Sequence, residues 1–216
     1  MVNKLEEEIV ILRDNIFKMG LEVEEALKLA LAALKEKNTA ACDSVFEHEE
    51  RINRMQVELE DFCAQLLASY TPVASDLREI LTSFKLISNI ERIGDHAVHF
   101  AKALIRLNNK ELLDEFGQFF YMLEVGIDML DTALKAYVEQ DANLARETAS
   151  RDEKIDTMHN ELLSHLFELI KKNPELAQDF TSLLFLNRFM ERLGDHVTNI
   201  CEWVVYSVTN RHEDLN

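Results

Sequence analysis

The hexapeptide ERIGDH at residues 91–96 recurs as ERLGDH at residues 191–196, one hundred positions later. This recurrence is the main indication of how the chain is organised. Each copy lies in a long segment whose apolar residues recur at the three- and four-residue spacing of an α-helix. Upstream of the copies, EERINRMQVELE at 49–60 resembles DEKIDTMHNELL at 152–163. The sequence therefore predicts a helical unit that is present twice.

The chain is poor in residues that break helices. Its 216 residues include 5 glycines and 2 prolines, so long uninterrupted helices are expected. Short polar or proline-containing breaks separate six predicted helices, at 5–35, 39–69, 75–107, 111–137, 142–171 and 174–210. The sequence predicts an all-α protein of two tandem three-helix bundles, spectrin-like in layout, with residues 1–108 in the first bundle and 109–216 in the second.

The composition excludes several classes of function. With 40 acidic and 23 basic residues the net charge is −17, and no Lys/Arg cluster suits a nucleic-acid backbone. No apolar run approaches the ~20 residues that span a bilayer, and the acidic first turns are unlike a signal peptide. We expect a cytoplasmic protein that does not insert into a membrane. Its three cysteines, Cys42, Cys63 and Cys201, are predicted to be reduced core residues.

Each copy of the hexapeptide places two carboxylates one helical turn apart. Glu91 and Asp95 share a helix face, as do Glu191 and Asp195, and like charges at that spacing repel each other. Near an apolar core they need compensation by a basic side chain or by a metal cation. Salt bridging by the arginine inside each hexapeptide is the simpler alternative.

A polar row on the preceding helix is predicted to face each pair of acids. In an antiparallel hairpin, residues equally far from the tip lie at equal height, and the polar rows of both halves meet this condition. The predicted ligand sets are Glu49, Asn53, Glu91 and Asp95 in the first half, and Asp152, Asp156, Glu191 and Asp195 in the second. Carboxylate and amide oxygens suit cations such as Mg, Ca, Mn and Fe, so the sequence predicts a cation site in each half.

The second site is predicted to bind its cation more strongly. His159 and Glu202 extend its two rows as further candidate ligands, whereas Gln56 and Lys102 occupy the equivalent positions of the first half. A lysine competes with a bound cation. We therefore expect weaker binding, or none, at the first site.

Glycine and histidine complete each hexapeptide. Glycine inside a helix costs about 1 kcal/mol relative to alanine, so Gly94 and Gly194 are predicted to make room for a neighbouring group. His96 and His196 project roughly 140° away from the first acid of their hexapeptide on a helical wheel. We expect them at a packing interface rather than among the ligands.

The segments SNIERIGDHAVHFAKAL at 88–104 and NRFMERLGDHVTNICEWVVYSVT at 187–209 resemble the paired signatures of the PhoU family of phosphate-uptake regulators. The resemblance implies a cytoplasmic regulator that restrains uptake and starvation signalling when phosphate is plentiful. It implies a phosphate-specific ABC transporter and a sensor histidine kinase as partners, a homodimer, and iron or another metal (Mg, Mn, Zn or Ni) at the acidic rows. Two positions of the first half depart from the second, Asn53 opposite Asp156 and His99 opposite Asn199, which weakens the case for the first site.

Three classes of function remain open from the sequence. A non-enzymatic regulator that binds proteins through its helical faces is the leading interpretation. The alternative is a helical carboxylate-bridged metal-dependent enzyme, which would need two ExxH motifs on facing helices, and Asp156 with His159 is the one loose analogue. A coiled-coil adaptor is disfavoured, since apolar residues would serve it better than the acidic rows.

Overall fold

The computed structural model describes residues 4–215. Across this part of the chain eight α-helices follow one another: α1 Lys4–Glu36, α2 Cys42–Ser69, α3 Ala74–Arg106, α4 Leu112–Glu115, α5 Gly117–Glu139, α6 Ala142–Ala149, α7 Asp152–Lys172 and α8 Ala177–Thr209. Short 3₁₀ helices at Thr39–Ala41 and Pro174–Leu176 precede α2 and α8. No β-strand occurs in residues 4–215, and the all-α prediction is confirmed.

Two of the six predicted helices are each split in two. The first split falls at Phe116, whose backbone (φ −119°, ψ 47°) leaves the helical region while its ring is buried between α4 and α5. The second split is a turn at Ser150 and Arg151. There the Ser150 hydroxyl donates to the carbonyl of Glu147, and Arg151 reaches across to Asp128 on α5. Side-chain bonds of this kind compete with the helical ladder.

The helices form two bundles that share one apolar core. Helices α1, α2 and α3 pack on one another, as do α5 to α8, which confirms the tandem bundles. Helix α3 runs along α8 and α1 along α5, and the buried apolar residues of both halves form a continuous cluster. Ser83 of α3 and Tyr137 of α5 share a buried hydrogen bond of 2.9 Å between the bundles. The domain boundary at 108/109 stays a prediction.

Helices α3 and α8 are structural copies of each other. Residues 81–100 and 181–200 have the same sequence of buried, half-buried and exposed positions, except that His96 is buried and His196 is half-buried. Residues one hundred positions apart in α3 and α8 therefore occupy equivalent environments in the structure. Because the burial patterns of α3 and α8 are so similar, a difference in residue type at equivalent positions shows where the two halves have diverged.

The three cysteines, Cys42, Cys63 and Cys201, are fully buried and unpaired, as the sequence predicts. Burial raises the pKa of both Cys63 and Cys201 to about 12, so these thiols stay protonated at neutral pH. Among residues 4–215, no helix is both long enough and apolar enough to cross a bilayer.

Candidate metal centre

The two acidic rows of the second half face each other across α7 and α8. Burial raises the pKa of Asp152 to about 7, and the carboxylates of Asp156 and Asp195 act in the same direction. Burial also raises the pKa of Asp195, and the negative charge of Asp156 on the facing helix is the next largest cause of that rise. Asp152, Asp156, Glu191 and Asp195 thus feel one another's charge, and we refer to them as the α7/α8 carboxylate site.

Asp152 is the most enclosed member of the α7/α8 carboxylate site. Its side chain is 5% exposed, and Thr198 of α8 donates a 3.2 Å hydrogen bond to its Oδ2. Its Oδ1 is buried and has no hydrogen-bond partner among residues 4–215. A methyl group at Gly194 would overlap Oδ1. The prediction that Gly194 makes room for a neighbour is confirmed, and that neighbour is a carboxylate.

Glu191 leaves a second buried oxygen without a partner. Its Oε1 accepts a 3.3 Å hydrogen bond from Arg188 on the same helix, while Oε2 is buried and unpartnered in the described part of the chain. Burial raises the pKa of Glu191, and the charge of Asp195 adds to the effect. Unpartnered carboxylate oxygens are costly to bury, and a cation is the group that they fit.

The two further candidate ligands have different surroundings. His159 lies close enough to the site to act on two of its acids. Burial raises the pKa of Glu191 and of Asp195, and the imidazole of His159 partly offsets that rise. His159 Nδ1 lies 3.4 Å from the carbonyl oxygen of Asn187. Glu202 instead accepts a 3.0 Å hydrogen bond from the backbone N–H of Leu215, so it ties the C-terminal segment to α8.

The first half brings its predicted ligands together in a different state. Burial raises the pKa of Glu91, with Asp95 as the next cause and Glu49 among the lesser ones, so α2 and α3 also face each other through acids. Asn53 donates a 3.0 Å hydrogen bond to Glu49. We refer to Glu49, Asn53, Glu91 and Asp95 as the α2/α3 carboxylate site.

Internal partners satisfy the α2/α3 carboxylate site. Arg92 lies 3.4 Å from Asp95 and 3.6 Å from Glu91, as the salt-bridge alternative predicts. None of the four residues has a buried side-chain oxygen or nitrogen without a partner among residues 4–215. A methyl group at Gly94 would meet Ile52, at 3.2 Å, and no carboxylate. The two sites therefore differ in their hydrogen bonding, and the weaker cation binding expected at the first site stays a prediction.

Two residues of these sites were not predicted from the sequence. Thr198 holds Asp152, and its position three residues after Asp195 on the same face was the available signal. Glu60 of α2 is among the charges that raise the pKa of Glu91, after burial and Asp95. It lies two turns beyond Asn53, so extending the polar row would have found it.

The carboxylate oxygens of the α7/α8 carboxylate site do not converge on one point. Among residues 4–215, no three His, Cys, Asp or Glu side chains form a ready metal-binding group. Asp156 is exposed, whereas Asp152 is buried. A cation that binds here has to draw the carboxylates of α7 and α8 together, and the ligand set stays a prediction.

The duplicated helical fold, with facing acidic rows in each half, defines a class of all-α protein built from two copies of one helical unit. Among known protein families, the PhoU domain family matches residues 16–104 and 121–204, one match in each bundle. The chain belongs to the PhoU domain family, which confirms the resemblance that the repeated hexapeptide carries.

Individual relatives match along nearly the whole chain. The phosphate-specific transport system accessory protein PhoU homolog of Clostridium acetobutylicum is 32% identical over 95% of this chain and 94% of its own length. The protein of the same name from Streptococcus pneumoniae serotype 4 is 32% identical over the full length of both chains.

Solved structures show the same fold. The crystal structure of the phosphate transport system regulatory protein PhoU from Streptococcus pneumoniae matches with a TM-score of 0.91 at 31% identity, covering 98% of this chain and 100% of that one. PhoU from Pseudomonas aeruginosa matches with a TM-score of 0.89 at 28% identity, covering 96% and 100%.

Proposed function

We propose that this chain is a non-enzymatic regulator that restrains phosphate uptake and phosphate-starvation signalling when phosphate is plentiful. The observation that carries the proposal is the full-length match to a protein named as a phosphate transport system regulatory protein. The curated relatives named as accessory proteins of phosphate-specific transport support it. The chain acts in the cytoplasm as a homodimer.

Regulation proceeds by protein contact. The partners are a phosphate-specific ABC transporter and a sensor histidine kinase. The surface offered to them is acidic, with a net charge of −17 on 216 residues, and it suits basic patches on a partner. Apolar side chains on the outer faces of α1 and α2, such as Ile11 at 48% and Val57 at 58% exposure, supply contact area beside these charges.

A cation at the α7/α8 carboxylate site is part of the proposal. Asp152, Asp156, Glu191 and Asp195 would hold it, with His159 beside them, and iron, Mg, Mn, Zn or Ni would suit these ligands. The support is the pair of buried oxygens without partners, Asp152 Oδ1 and Glu191 Oε2. A bound cation supplies positive charge that joins α7 to α8, and so stabilises the second bundle.

The regulator proposal is tested in a bacterium that lacks its own gene for such a protein. Phosphate uptake and expression of a phosphate-starvation reporter are measured at high external phosphate, with and without this chain. We expect the chain to lower both. Uptake and reporter expression that stay at the level of the deletion strain, although the chain is folded and abundant, would contradict the proposal.

The partners are tested separately, by co-purification of the chain with the transporter's cytoplasmic subunits and with the sensor kinase. We expect both to be retained. Restored regulation without either contact would reject the proposed route, since control would then bypass these partners.

A further inference from the structure

Helices α3 and α8 cross at equivalent histidines. The rings of His96 and His196 have centroids 5.4 Å apart. The two helices run in opposite directions through this point, because the N-terminal part of α3 contacts the C-terminal part of α8 and the C-terminal part of α3 lines a cleft with the N-terminal part of α8. Each end of the crossing therefore pairs the C-terminal part of one copy with the N-terminal part of the other. Since the copies are equivalent, the two ends would look alike if the sequences had not diverged.

One end of the crossing is filled by aromatic side chains. Trp203 of α8 packs edge-on against Tyr206 and His212, with ring centroids 5.6 and 5.7 Å away. Lys85 of α3 places its amine 5.6 Å from the centre of the indole, in a cation–π contact. Here a flat ring and a cation occupy the space between the helices.

The other end of the crossing is open. Ala103 stands where the copy has Trp203, and Phe185 stands where it has Lys85. A methyl group thus replaces an indole, and a cleft of about 740 Å³ lies between the C-terminal part of α3 and the N-terminal part of α8. That volume falls within the range of about 300 to 1,000 Å³ that small-molecule sites occupy.

The cleft combines an aromatic wall with free positive charge. Phe185 is 52% exposed, and beside it Phe189 is stacked on His99 with ring centroids 4.0 Å apart. Lys102 and Arg106, one helical turn apart on α3, also line the cleft. In residues 4–215 neither makes an ion pair, although the chain has 40 acidic residues against 23 basic ones.

Within residues 4–215, the acidic groups near the cleft do not pair with the two basic side chains that line it. Asp179 is close in sequence to the lining residues of α8, but it is buried and its Oδ1 accepts a 2.7 Å hydrogen bond from the backbone N–H of Asn108. Asp95 is engaged by Arg92 at 3.4 Å. Two unpaired cations in a concave site favour an anionic ligand.

We propose that this cleft binds a nucleoside phosphate. The base lies against Phe185, in the space that the indole of Trp203 fills at the other end, and the phosphate groups lie against Lys102 and Arg106. Asn108 and Thr181 line the same cleft and offer hydrogen-bonding groups to the base or sugar. The ligand class follows from the need for a flat ring and for negative charge within one molecule.

Isothermal titration calorimetry of the full chain tests this site, with ATP, adenosine and inorganic phosphate as separate probes. EDTA in the buffer keeps the carboxylate sites free of metal. We expect ATP to bind at least about tenfold more tightly than adenosine or phosphate, because neither of these fills both parts of the cleft. Binding should weaken as salt is raised.

Variants locate the binding. Arg106→Gln and Lys102→Gln should each weaken ATP binding about tenfold, the loss expected for one charge-assisted contact. Ala103→Trp should abolish it by filling the cleft with the side chain of the other end. Lys85→Gln, which removes one positive charge from the other end of α3, is the matched control and should bind ATP as the wild type does.

Three outcomes would overturn the proposal. ATP that fails to bind, or that binds no better than phosphate, rejects a nucleotide site. Equal weakening by Lys85→Gln and Arg106→Gln reduces the effect to net charge. A dimer that Ala103→Trp splits into monomers, without any heat from ATP, would assign the cleft to a second copy of the chain. Arg106 is exposed, so Arg106→Gln keeps the test valid if Ala103→Trp fails to fold.

Discussion

The buried carboxylate of Asp152 on α7 packs against the bare α-carbon of Gly194 on α8, in space that any other residue at 194 would fill. The repeat thus keeps a glycine in each hexapeptide but uses it differently. In the first half Gly94 faces the apolar side chain of Ile52. The second half keeps the equivalent apolar contact, with Ile155 at 3.2 Å from the same methyl position, and adds a buried acid to it.

Gly194→Ala should therefore destabilise the protein, because the added methyl group overlaps Asp152 Oδ1 and displaces a buried carboxylate. We expect a loss of about 1 to 3 kcal/mol in the free energy of unfolding, measured by urea denaturation. Gly94→Ala is the matched control. Its methyl group meets Ile52 at 3.2 Å, and a helix-propensity gain of about 1 kcal/mol offsets that contact.

Equal losses in the two glycine variants would show that helix packing, rather than the carboxylate, decides the effect. A stabilised Gly194→Ala protein would show that Asp152 moves without cost.

The pH dependence of stability should carry the signature of Asp152. Burial, with the charges of Asp156 and Asp195, raises its pKa from 3.8 to about 7, so the folded state holds the proton more tightly than the unfolded chain. The protonated Asp152 side chain contributes fully to the free energy of unfolding below the pKa of the unfolded state. That contribution is lost as the pH rises through the pKa of the folded state. In EDTA, the wild type should lose stability relative to Asp152→Asn between about pH 4 and pH 7.

Unfolding curves of the two proteins at several pH values measure this difference. Parallel pH profiles would mean that Asp152 titrates normally and that its neighbours do not act on it. Asp128→Asn provides a control, since that carboxylate is exposed and paired with Arg151 at 2.6 Å.

The hydrogen bond between the bundles should contribute modestly to stability. Tyr137→Phe removes the hydroxyl that Ser83 contacts at 2.9 Å, and Ser83 keeps its bond to the carbonyl of Glu79. Since no polar group is left without a partner, we expect a loss of about 1 kcal/mol in the free energy of unfolding. Tyr121→Phe removes a hydroxyl on the exposed face of α5 that accepts a hydrogen bond from Lys154, and it should change the free energy of unfolding by less than about 0.5 kcal/mol. Equal effects would place no special value on the contact between α3 and α5.

The fold could be predicted from the sequence because two copies of each long helix carry the same pattern. The apolar periodicity predicted the long helices, and the repeated hexapeptide identified α3 and α8 as copies of each other. Their packing against each other was not predicted. The breaks at Phe116 and at Ser150 could not be predicted, because they depend on a buried ring and on side-chain bonds to other turns. Gly117 after the first break is a weak helix former, but a single glycine inside an apolar helical pattern does not by itself end a helix.

The candidate site could be predicted only in outline. The spacing of Glu191 and Asp195 placed acids on one face, and the count from the hairpin tip placed Asp152 opposite them. Three-dimensional packing then decided that Asp152 is buried and bonded to Thr198 while Asp156 is exposed. The capture of Glu202 by Leu215 needs the C-terminal segment to fold back, which no local pattern indicates.

We propose a cation at the α7/α8 carboxylate site and none at its copy in the first half. Elemental analysis of protein purified without chelator or affinity metal tests it on the wild type, Glu191→Gln/Asp195→Asn and Glu91→Gln/Asp95→Asn. We predict that the wild type and the 91/95 variant retain about one metal ion per chain, and that the 191/195 variant loses it. Folded wild-type protein without metal, or equal loss in both variants, would contradict the claim.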